Sequence, residues 1–190
     1  MQTLESVIKE VESIALAEGA STVKQIDPKD VVVAQWVRNK CQFGCQYFGK
    51  RFTCPPYAPT PDETLTSLKS YHRALLVEFP PRYISQMQSG KDMIHNALSR
   101  MERTAFLSGY ERAFGYKAGP CRLCKECPAE KLESPNLFCK KECKYPKEAR
   151  PSMEAAGIDV YSTAHQAGFE LNVVRSREEP FKSFGLLMLE

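Results

Sequence analysis

The sequence predicts an α+β fold, an α/β sandwich with a mixed sheet, carrying cysteine-rich loops organised by metal. Three observations carry this expectation. Apolar runs of strand length alternate with stretches of helical period. The chain closes on what reads as two strands joined by a turn. All eight cysteines fall in two tight groups, Cys41, Cys45 and Cys54, then Cys121, Cys124, Cys127, Cys139 and Cys143, and positions 55–120 between them hold none.

Leu4, Val7, Ile8, Val11, Ile14 and Ala15 recur at helical spacing, so residues 3–18 read as an amphipathic helix ending near Gly19. The β-branched run 31–37 reads as a strand leading into Cys41. Thr60, Pro61 and Glu63 supply an N-cap, a first-turn proline and an N3 glutamate, which predicts a helix to about Tyr71. Ala74 to Phe79 reads as a buried strand stopped by Pro80 and Pro81. The longest helical stripe is Ile84, Met87, Ile94, Ala97, Leu98, Met101 and Ala105, running to roughly Ser108. Residues 110–118 read as a further strand. Asp159 is placed to cap a helix ending at Gly168, and 169–174 with 184–189 read as the closing strand pair. At 190 residues with 43% hydrophobic composition this is one domain, 1–190, with cysteine loops at 38–60 and 119–150.

Bulk properties exclude several classes. A net charge of +3 does not argue for nucleic acid, and no apolar stretch is long enough to span a membrane. Charges occupy the first ten residues where a signal peptide needs an apolar core, so the chain reads as cytoplasmic. Clustered cysteines in a reducing compartment point to metal rather than disulfides. There is no His-Glu-x-x-His, phosphate loop or dinucleotide glycine fingerprint, so redox chemistry would need a partner protein as electron source.

Cys121-x2-Cys124-x2-Cys127-Pro128 is the strongest signal. Three cysteines at intervals of three wrap a loop around one compact cofactor, as in ferredoxins, whereas a zinc site usually takes two separated Cys-x-x-Cys pairs. A [4Fe-4S] cluster is therefore the reading of this ferredoxin-like insertion, with structural zinc as the alternative and Cys139 or Cys143 as fourth thiolate. Cys41-x3-Cys45 with Cys54 is less diagnostic; it either joins the same site or holds a second cluster, since three and five thiolates suffice for two. If Cys139 is no ligand, one iron of that cluster is open to a small anionic or sulfur-containing molecule, with Arg38, Arg51 or Arg150 to orient it.

The chain resembles the DUF2284 family of predicted metal-binding proteins over Cys41 to about Gly168. The resemblance rests on Arg38-Asn-Lys-Cys41-x3-Cys45, Cys54-Pro-Pro-Tyr57, Gly119-Pro-Cys121-x2-Cys124-x2-Cys127, Cys143-Lys-Tyr-Pro146 and the run Ala149 to Val160. It implies metal binding, with Cys143 as fourth member of the second group and Cys139 outside the pattern.

The remaining candidates have plainer readings beside the sharp ones. Basic residues crowd both groups, and compensation of thiolate charge accounts for them as well as an anionic partner does. Phe43, Tyr47, Phe48, Phe52 and Tyr57 read as an apolar jacket sooner than as base-stacking platforms. His72 and His95 read as surface or satisfied side chains, and His165 as a candidate proton donor or ligand. Arg150, Ser152 and Glu154 either line a substrate pocket or cap the helix that follows.

Overall fold

The computed structural model describes residues 2–86, 93–132 and 142–190. Helix α1, Leu4–Ala17, starts where Thr3 accepts a hydrogen bond from the Ser6 amide, and it buries Val7, Ile8, Val11 and Ala15. Strand β1, Thr22–Ile26, follows, then helix α2, Gln35–Gly44, and helix α3, Pro61–Leu68. Thr60 and Glu63 form the expected reciprocal capping box at the start of α3. Strand β2, Ala74–Arg82, helix α4, Met93–Leu107, strand β3, Phe114–Tyr116, helix α5, Val160–Gln166, and strand β4, Phe181–Met188, complete the frame. Asp159 caps α5 by accepting from the Ser162 amide, as read from the sequence.

The architecture is α+β, with strand order β1-β2-β4-β3. Every neighbouring pair is antiparallel, where a mixed sheet was expected. The connections between strands are long excursions through helices and cysteine loops, so alternation along the chain does not dictate direction in the sheet.

β2 and β4 are the central strands, buried on both faces, and their side chains divide by the two-residue period. Leu75, Val77, Phe79 and Leu187 pack with α1 and α4 in one core. Ala74, Leu76, Leu186 and Met188 pack with Met153, Ile158, Ala164 and Phe169 in the other. Among the described residues neither core contains a cysteine. Burial of each large aliphatic side chain here contributes roughly 1.5–3 kcal/mol.

Four elements depart from the sequence reading. The run 31–37 is not a strand: Val33 makes an isolated bridge to Ile158, and α2 begins at Gln35. Its backbone partners come from the approach to α5. The Ala34 amide donates to Gly157 O (2.9 Å), the Asp159 amide to Val32 O (2.8 Å) and the Val32 amide to Thr163 Oγ1 (3.0 Å). Residues 169–174 form no strand either, because β2 and β3 already flank β4. Side chains hold that segment instead. Phe169 packs edge-on against Phe184 at 5.2 Å, and the Lys24 ammonium lies 4.2 Å over the Phe169 ring. β2 continues past Phe79 to Arg82, with an irregular register where Pro80 and Pro81 lack amide protons. Finally, Ile84 lies in a separate 3-10 turn, Ile84–Gln86, and the described part of the long helix starts at Met93; Met87 lies outside the described residues. No helix among the described residues is long and apolar enough to cross a membrane.

Candidate metal centre

The first cysteine group begins on α2. Helical spacing places Cys41 one turn beyond buried Val37, and Cys45 forms the C-cap one turn further. Arg38 fixes the helix by donating to the carbonyls of Pro59 (3.2 Å) and Ala155 (3.2 Å). This brings Cys41 beside the turn Glu154–Ala156, with Cys41 Sγ 3.9 Å from the Glu154 carbonyl. Cys41, Cys45 and Glu154 share the wall of a broad groove with Trp36 and Phe43. Cys54 is buried where the loop returns, in a turn closed by the Tyr57 amide donating to Cys54 O.

The second group leaves the frame directly from β3. The Lys117 amide donates to Pro151 O and the Met153 amide to Lys117 O, both at 2.9 Å, so the two ends of the excursion are clamped side by side. Cys121, Cys124, Cys127 and Cys143 all line one cavity, together with Phe52, Thr53 and Tyr145. Cys139 lies outside the described residues. The two loops are tied together. Buried Arg51 pairs with Glu130, and Phe52 forms a small apolar cluster with Cys127, Ala129, Tyr57 and Cys143. The expected apolar jacket is therefore Phe52 and Tyr57, whose rings meet edge-on at 5.6 Å. Phe43, by contrast, is 83% exposed.

The seven described cysteines are free of disulfides. Burial, then the neighbouring Cys45, Cys41 and Cys121 thiols, pushes Cys54 up to about 12. The same burial raises Cys41, with Cys45 and Glu154 adding to it, and raises Cys124, with Cys127 and Cys143 adding to it. Burial also raises Cys121, although a hydrogen bond from the Leu123 amide and the Lys117 charge favour its thiolate. Cys54 thus stands in the field of both groups. Among the described residues no three Cys, His, Asp or Glu side chains form a ready-made single-ion site. The donor set nevertheless fits a soft metal cofactor: four thiols face one cavity, and a cation there would compensate the cost of burying thiolates.

Other candidates are committed to the protein itself. Arg150 is held by Glu102, with Nη2 2.5 Å from Oε1. Arg51 is taken by Glu130 and lies 5.4 Å from the Tyr47 ring. His165 Nε2 sits 2.8 Å from Leu171 O, a contact that holds the segment after α5. Of the two roles read for His95, surface or satisfied, it has the second: it is buried, and it contacts a residue that the sequence reading passed over, Lys117. The Lys117 ammonium reaches His95 Nδ1 (2.7 Å), Ser99 Oγ (2.8 Å) and Glu148 O (2.8 Å). Its signal was a lone lysine inside an apolar strand pattern four residues before Cys121.

No curated protein and no solved structure matches the chain. Residues 24–189 match the family model described as predicted metal-binding protein, a wider span than the motifs alone suggest. On that match the protein belongs to the DUF2284 family of predicted metal-binding proteins.

Proposed function

We propose that the protein holds [4Fe-4S] clusters in its two cysteine loops and serves as an electron carrier for a redox partner protein. The observation that carries this is the convergence of Cys121, Cys124, Cys127 and Cys143 on one cavity, the first three at the three-residue sequence intervals of ferredoxins. Such a cluster, when bound, takes up and releases electrons singly. The chain's own residues would supply the rest. Phe52, Tyr57 and Leu132 keep water from the second group, and the Leu123 amide supports the Cys121 sulfur. Cys54 adjoins both groups, which supports two neighbouring centres. Exposed Phe43 and Trp36 beside Cys41 and Cys45 offer apolar surface for a partner.

Anaerobic purification followed by iron, sulfide and zinc analysis tests the reading. The expected result is a brown protein with four to eight irons per chain, about four for each cluster. A colourless protein with stoichiometric zinc after anaerobic reconstitution would overturn it and leave a zinc-stabilised, non-catalytic interaction module.

A further inference from the structure

The first group offers three thiols, Cys41, Cys45 and Cys54, and a four-iron cluster presents four metal corners. We propose that the carboxylate of Glu154 is the fourth donor of that group, so that the first centre has one oxygen-ligated iron facing the groove. The inference rests on the iron–sulfur reading above.

Among the described residues, Glu154 Oε2 is buried and has no hydrogen-bond partner. Leaving a buried carboxylate oxygen unmatched is unfavourable, and such orphans in native proteins mark a function or a missing ion. The residue is free of the capping duty that its position before α5 suggested, since Asp159 caps that helix. Its neighbourhood is the thiol group. The Glu154 charge is among those that act on Cys41, and the two residues share the groove wall with Cys45. The placement is rigid. Arg38 binds the Ala155 carbonyl, the Ala155 amide donates to Ser152 Oγ (3.1 Å), and the Gly157 amide donates to Glu154 O (3.0 Å). A carboxylate is a harder donor than a thiolate and gives way more readily on a cluster iron, so this corner is the one an incoming thiol or anion from the groove would displace.

The test uses the full chain purified anaerobically, comparing wild type with Glu154→Gln, Glu154→Cys and Cys139→Ser. Iron and sulfide per chain are measured with the electron paramagnetic resonance spectrum of the reduced protein, and far-ultraviolet circular dichroism checks the fold. The expectation is that Glu154→Gln loses about half the iron while the second cluster's signal remains. Glu154→Cys restores the iron with an altered spectrum, and Cys139→Ser keeps both clusters. Full iron with an unaltered spectrum in Glu154→Gln overturns the proposal, as does loss of a cluster in Cys139→Ser. Iron loss that Glu154→Cys does not restore also overturns it, because the glutamate would then support folding and not ligate. Wild type without iron and sulfide sinks the underlying reading before any variant is compared.

Discussion

Lys117 shows how a single residue can set the chemistry around a site it does not enter. Its ammonium needs three acceptors and finds them in His95, Ser99 and the Glu148 carbonyl. Accepting that proton at Nδ1 places the remaining His95 proton on Nε2, which lies 3.3 Å from Glu148 Oε2. Burial lowers Lys117 to about 8, against an ordinary 10.5, despite the raising influence of Cys121 and Glu102. Between those values the unfolded chain keeps a proton that the folded one has lost, so the cost of burying this charge is relieved as pH rises from about 8 to 10.5. Below about 8 both states are protonated and the contribution is flat. Unfolding of the metal-free, reduced wild type and of Lys117→Met should therefore diverge across that window, by up to about 1.4 kcal/mol per pH unit in favour of wild type. Denaturant titrations at pH 7.5, 8.5 and 9.5 read the difference, and a gap that does not change with pH contradicts the assignment.

At the scale of elements, the turn after Glu154 is a tightly packed joint in the frame. Gly157 has φ +80°, and a β-carbon there would stand 2.8 Å from Cγ of Pro61, whose ring cannot move aside. Gly157→Ala should lower unfolding stability by on the order of 2 kcal/mol from strain alone. Thr60→Ala, which removes the capping box of α3, should cost about 1 kcal/mol. Equilibrium denaturation ranks the two, and the reverse order would show that the turn can relax. The elements legible from sequence are those whose signals are local: the Thr60 and Asp159 caps, the α1 stripe and the apolar run of β2. Those misread depended on partners far along the chain. Val31 to Val33 has strand-forming residues, yet Val32 and the following Ala34 bond to Gly157, Asp159 and Thr163. Phe169 to Val174 has a strand's composition, but both edges of β4 were already taken. The site divides in the same way. Spacing marked the cysteines, whereas the Arg51–Glu130 pair, 79 positions apart, and the Lys117 network exist only once the loops are folded together.

For the molecule as a whole, packing separates a frame from what it carries. Among the described residues both large cores are built without cysteine, while Cys127 and Cys143 belong to the small cluster that joins the loops. Removing metal by chelation should leave the far-ultraviolet circular dichroism nearly intact and open the cysteine loops to limited proteolysis. Cys124→Ser should do the same at the second loop, with increased cleavage near residues 119–132; unchanged metal content and protease resistance would refute its role as a ligand. Because Arg51 ties the loops, the first loop should loosen as well. The cysteine-free stretch between Cys54 and Cys121 carries a consequence for biosynthesis. During translation the first three thiols emerge from the ribosome long before their neighbours, with β2 and α4 made in between and β4 following both groups. β4 lies between β2 and β3, so the frame that carries the loops closes only once residues 181–188 have been made. Stable metal uptake should therefore follow the synthesis of β4 rather than the emergence of the first three thiols. Nascent chains stalled before β4 should hold no tightly bound metal, whereas chains that include β4 should retain it.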